Sequence, residues 1–127
     1  MFGKKKNKDS ITMMHYEGLS DFKQDFPCAM MLEEIHLTFQ NNEGNVAKLP
    51  YDRILKVDAM TEENFMAKYH NNKAKTKKGT VWFRIITYIS SAGDEKYIAL
   101  WNVDFKSAKF FDQLQTRIKT EPKETIL

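Results

Sequence analysis

The ten residues Thr80-Val81-Trp82-Phe83-Arg84-Ile85-Ile86-Thr87-Tyr88-Ile89 are nearly all strong strand formers, with branched and aromatic side chains that suit a pleated, half-buried surface. Ser90 to Asp94 follows, with Gly93, and reads as a hairpin turn; Lys96 to Trp101 is then the returning strand. Ile86 and Ile98 are expected to share an inward-facing layer, although sequence alone leaves the register open. Neighbours on a strand point to opposite faces, so Trp82 and Phe83 cannot both face a core. The outward one is an aromatic beside a strand edge, a feature that can mark a partner surface.

Downstream of this hairpin the period changes. Phe110, Phe111, Leu114 and Ile118 fall on one face at helical spacing from Ser107 onward, with Lys109, Asp112, Gln113 and Arg117 opposite. Asp104 or Ser107 can supply the N-cap, and Pro122 prevents a long continuation. A stripe of about three turns is not stable alone in water, so the helix has to dock on an apolar surface.

Upstream, Ile35, Leu37 and Phe39 alternate with His36, Thr38 and Gln40, the signature of a half-buried strand with His36 on the solvent side. Asn41 to Asn45 is a dense turn signal, Val46 to Leu49 resumes beyond it, and Pro50 ends that strand. Ile11 to Tyr16, closed by Gly18, and Cys28 to Leu32 are two further strand candidates, with Asp21 to Pro27 as a connection. Tyr51 to Val57 fits a short helical turn or a strand equally well. Thr61-Glu62-Glu63 can cap a helical turn, but residues 61 to 79 are otherwise the least patterned part of the chain. Many short strands followed by one amphipathic helix predict a mainly β protein: an antiparallel sheet or barrel plugged by a C-terminal helix.

With 127 residues the chain is one domain's worth of material, and at 42% hydrophobic it can bury a core. The expected organisation is a flexible basic arm over 1–10, a single domain over 11–120 and a tail over 121–127. A lone cysteine, Cys28, excludes an internal disulfide and a cysteine-rich zinc site. No apolar run approaches the roughly 20 residues of a membrane span. The N-terminus is basic but has no apolar core of a secretory signal, so the expected location is cytoplasmic, free or peripheral at the inner membrane face.

An enzyme is not expected. His15, His36 and His70 share no metal-ligand spacing, and there is neither a glycine-rich phosphate loop nor a nucleophile elbow. Glu33-Glu34 and Glu62-Glu63 are adjacent acids, whereas general acid/base work needs carboxylates that converge on one site. Cys28 sits in an apolar run, the setting of a buried inert thiol. No catalytic residue, metal ligand or cofactor is assigned.

The net charge is only +3, yet the lysines are clustered. Lys4, Lys5, Lys6 and Lys8 form one group; Lys73, Lys75, Lys77 and Lys78 form another with no acid between them. An anionic membrane attracts each nearby lysine by about 1 kcal/mol, so one cluster offers about 4 kcal/mol, an association near millimolar. The ordinary role of such runs is to keep a loop and a tail in solution. A nucleic-acid surface would interleave aromatics for base stacking, and only Phe2, Tyr69 and His70 flank these clusters. Asn71 to Lys78 is expected to be an exposed, mobile loop between two strands.

Leu49-Pro50-Tyr51-Asp52-Arg53-Ile54-Leu55-Lys56-Val57, Val81 to Tyr88, Gly93-Asp94-Glu95-Lys96-Tyr97-Ile98 and the helix carrying Phe111, Leu114, Arg117 and Ile118 together resemble bacterial pleckstrin-homology-like (GRAM-like) domains. The resemblance spans residues about 28 to 119. It implies a barrel of two orthogonal antiparallel sheets closed at one corner by the single helix. Domains of this kind bind phosphoinositides or peptides, so the fold alone does not fix a role. The resulting expectation is a non-catalytic binding module that engages a protein partner or an anionic membrane or phosphate surface, with homo-oligomers open. Its candidate anion-binding residues are Lys73, Lys75, Lys77, Lys78, Lys4, Lys5 and Lys6. The alternatives are a small nucleic-acid-associated accessory protein and, behind it, an enzyme.

Overall fold

The computed structural model describes residues 10–71, 81–102 and 107–118. Seven strands run in chain order: β1 (Ser10–Glu17), β2 (Phe26–Leu32), β3 (His36–Asn41), β4 (Val46–Pro50), β5 (Ile54–Thr61), β6 (Trp82–Ile89) and β7 (Glu95–Asn102). Helix α1 (Glu62–His70) lies between β5 and β6, and α2 (Ser107–Arg117) follows β7. The strands form one antiparallel sheet in the order β4-β3-β2-β1-β7-β6-β5. The resemblance implied two sheets; instead the pairing of β1 with β7, at Met14↔Trp101, His15↔Leu100 and Glu17↔Ala99, joins both halves into one. β4 and β5 are its end strands and share no ladder among the described residues, so the sheet is not closed.

The hairpin of β6 and β7 has the expected turn, with Ser90 N–H donating to the Asp94 carbonyl and Gly93 at φ +92°. Ile86 pairs with Ile98 directly, and both are buried. Alternation then divides the apolar residues between two faces. Ile86, Ile98 and Leu100 join Met13, Met30, Leu37 and Phe39 in the main core, which α2 covers with Phe110, Phe111 and Leu114, followed by Ile118 just past its end. Phe83, Ile85 and Ala99 point to the opposite face and pack against Phe65 and Met66 of α1. Phe65 and Phe83 stack with centroids 4.6 Å apart and rings 10° from parallel. Burying each such ring contributes about 1.5–3 kcal/mol. Trp82, the neighbour of Phe83, is half-buried.

Two helices therefore stand where a single one was expected. α1 is positioned by its caps. Thr61 is extended at φ −73°, ψ 165°, and its hydroxyl accepts the Asn64 N–H, while Asn71 closes the helix in the left-handed region at φ 52°. Glu62 and Glu63 place negative charge at the positive end of the helix, and Lys68 places positive charge at the other. The lysine-rich segment after Asn71 thus leaves a helix rather than a strand. Tyr51 to Val57 uses both expected conformations: a 3-10 turn at Tyr51–Arg53, then β5.

Three further expectations are corrected. Ile35 precedes β3 in a bend and is 68% exposed, so only Leu37 and Phe39 keep the inward alternation. His36 is not solvent-facing but half-buried, its Nε2 3.4 Å from a Glu33 carboxylate oxygen. Ser107 is the first residue of α2 and is buried rather than a cap, while Asp104 and Pro122 lie outside the described residues. Among the described residues, no helix is long and apolar enough to cross a membrane.

Candidate functional site

α1 is only nine residues long and covers only part of its sheet face. Past its end the face continues as a row across three strands, because Lys56 pairs with Thr87 and Thr87 with Tyr97. Tyr69, in the last turn of α1, meets Tyr97 edge to face with centroids 4.7 Å apart. These residues line a groove of about 270 Å³ whose walls also carry Lys68, Lys96 and Glu95. The three lysines are exposed and come from three elements: β5, α1 and β7. Lys56 lies 3.6 Å from the Asp58 carboxylate, whereas among the described residues neither Lys68 nor Lys96 ends in an ion pair. Lys68 instead leans over the Tyr69 ring, 5.8 Å from its centre. Three ammonium groups against the carboxylates of Glu95 and Asp58 leave the groove with a balance of one positive charge.

The tyrosines supply hydroxyls and ring surface rather than nucleophiles. Burial, reinforced by the Asp58 charge, pushes the Tyr69 phenol up from its ordinary value. Burial also raises Tyr97, and its hydrogen bond to Glu17 adds to the effect. The Glu17 carboxylate accepts from the Tyr97 hydroxyl at 2.5 Å and lies 2.7 Å from His70 Nε2. This clamp ties the end of α1 to β1 and β7, which fixes the back wall of the groove.

A second, tighter cavity of about 80 Å³ lies beside the loop between β1 and β2, bordered by His15, Phe22, Phe26 and Pro27. It is well short of the roughly 300–1,000 Å³ of a small-molecule site. Both nitrogens of His15 are committed. Nδ1 donates to the Lys23 carbonyl at 3.2 Å, and Nε2 accepts the Leu19 N–H at 3.1 Å, a pattern that only the neutral ring satisfies. Burial accordingly lowers its pKa, against smaller opposing effects of the Lys23 carbonyl, Glu17 and Asp25. The ring holds the loop between β1 and β2 in place and has no lone pair left for chemistry.

The lysines singled out from sequence, Lys4, Lys5, Lys6, Lys73, Lys75, Lys77 and Lys78, lie outside the described residues. In the sequence the last four follow Asn71, the residue that caps the end of α1. His15, His36 and His70 belong to separate hydrogen-bonding environments, and among the described residues no group of His, Cys, Asp or Glu could hold a metal. Cys28 is fully buried, and burial pushes its thiol up to about 12. Lys56, Lys68, Tyr69, Lys96 and Tyr97 were not legible as a site, since they are spread over 42 positions of sequence. Compared with known proteins, the chain matches no family model and no curated sequence.

Proposed function

We propose that the chain is a non-catalytic binding module of pleckstrin-homology-like architecture, and that it engages an anionic, phosphate-bearing membrane surface with its lysine-rich face. The fold reading is supported by seven antiparallel strands with a C-terminal amphipathic helix docked over one core. The functional reading rests on one observation above all: Lys56, Lys68 and Lys96 converge from three elements on one groove. Three lysines at about 1 kcal/mol each bind too weakly alone. Adding Lys73, Lys75, Lys77 and Lys78, which follow Asn71 in the sequence, brings the sum to about 7 kcal/mol, a dissociation constant on the order of 10 μM. The non-catalytic part is supported by the chemistry of the reactive side chains, since His15 has both nitrogens occupied and Cys28 is inert.

The test is co-sedimentation of the full chain with vesicles of phosphatidylserine and phosphatidylcholine, beside vesicles of phosphatidylcholine alone. Binding to the anionic vesicles is expected at low salt, weakening as salt screens the charges, and falling sharply in the Lys68→Glu, Lys96→Glu double variant. Equal binding to both vesicle types, or none to the anionic ones at low salt, overturns the reading.

A further inference from the structure

The two end strands of the sheet are treated very differently. β4 has five residues, carries Lys48 and ends on Pro50, the usual ways of blunting an exposed edge. β5 has eight residues and no proline, and its pairing with β6 is unbroken from Lys56 to Thr61. Among the described residues no strand lies on its outer side.

Leu55-Lys56-Val57-Asp58-Ala59 is also self-complementary. Val57 faces the main core, and the alternation puts Ala59 on the same side. Lys56 and Asp58 point to the opposite side, Lys56 in the row with Thr87. Leu55 sits in the irregularity between Ile54 and Lys56, off the β6 ladder, and is 51% exposed. Turned about a two-fold axis through Val57, the strand places Lys56 opposite Asp58 twice and Leu55 opposite Ala59 twice. Charged pairs then lie on one face and apolar pairs on the other, the pattern that stabilises antiparallel neighbours. Within one copy Lys56 and Asp58 Oδ2 are 3.6 Å apart, and that covered oxygen accepts no hydrogen bond among the described residues, so the pair has little to lose by exchanging partners.

We propose that β5 pairs antiparallel with β5 of a second copy of this chain, in the register centred on Val57, giving a symmetric dimer with a continuous sheet across the axis. Lys56 also lines the groove, but the readout is the association state of the protein alone, so the failure of one reading is distinguishable from the failure of the other.

Sedimentation velocity of the full chain over a wide concentration series tests it. The native protein is expected to show a monomer–dimer equilibrium. Lys56→Asp sets carboxylates opposite carboxylates and Asp58→Lys sets ammonium groups opposite ammonium groups. Each raises the dissociation constant about tenfold or more, and the combined swap restores it. A native protein that stays monomeric throughout, or single reversals that dimerise as tightly as the native chain, overturns the proposal. Hydrogen exchange on the unmodified protein is the second measurement. Amides of β5 are expected to slow as concentration rises while those of β4 do not; the same change in β4, or none in β5, contradicts the assignment.

Discussion

Tyr97 donates its phenolic hydrogen to the Glu17 carboxylate at 2.5 Å, across the seam where β1 meets β7. That seam has only three registered pairs and an irregularity between His15 and Glu17, yet it joins the two halves of the sheet. The same carboxylate takes His70, so one side chain links β1, β7 and α1. Tyr97→Phe is expected to cost about 1–2 kcal/mol in urea unfolding, the worth of a partly exposed hydrogen bond to a charged group. In a double-mutant cycle with Glu17→Gln the two losses are expected to be clearly non-additive. Additive losses would mean that the contact contributes nothing to the seam.

Gly18 has φ +114°, and a Cβ there would lie 2.7 Å from the Ile98 Cα and closer still to the Tyr97 carbonyl oxygen. Both obstacles are backbone of β7 and cannot swing aside. Gly18→Ala therefore combines backbone strain with a clash at the seam, and a loss of at least about 2–3 kcal/mol is expected in thermal or chemical melts. The same change at Gly93, which has open space around its Cβ position, leaves only the strain of φ +92° and is expected to cost less.

His15 links stability to pH. Burial lowers its pKa below the ordinary 6.5, so the folded protein holds the ring neutral while the unfolded chain takes up a proton. Its contribution is fully present above pH 6.5 and is lost as pH falls from there toward the folded-state value, with a slope of up to about 1.4 kcal/mol per pH unit. His15→Gln is expected to be less stable than the native protein at pH 7 but to lose less between pH 7 and pH 5.5. Parallel pH profiles for the two proteins would contradict this account of the loop.

Leu114 is fully buried on the face that α2 presents to the main core. Leu114→Ala is expected to cost about 2–5 kcal/mol, enough to unfold a marginal domain. A change below about 0.5 kcal/mol, as at an ordinary surface position, would show that α2 is not docked.

Much of the fold was legible wherever the periodicity was strong. The β-branched run before Ser90, the turn at Gly93 and the 3.6-residue stripe of Phe110, Leu114 and Ile118 each report a local preference that the tertiary structure keeps. α1 was not legible as a whole helix, because Phe65, Met66 and Tyr69 make only a narrow stripe in a polar stretch. Its signal was the cap, with Thr61 followed by two acids. The pairing of β1 with β7 joins residues more than 80 positions apart, and no local pattern encodes such a register. The candidate site was hidden for the same reason. Lys56, Lys68 and Lys96 stand apart in sequence and meet only because β5 and β7 flank β6 in the sheet and α1 packs on that face. The clustered lysines caught attention by density, whereas the groove is made by topology.

Nuclear magnetic resonance titration of the isotopically labelled full chain with lipid nanodiscs, anionic and zwitterionic, tests the anionic-surface reading most directly. With phosphatidylserine discs, the first amides to shift or broaden are expected to be those of Lys56, Lys68, Tyr69, Lys96 and Tyr97, and Lys68→Glu with Lys96→Glu is expected to remove the effect. Perturbation that instead maps to Asn41, Asn42 and Glu43 beside the His15 cavity, or that is the same with zwitterionic discs, would contradict it.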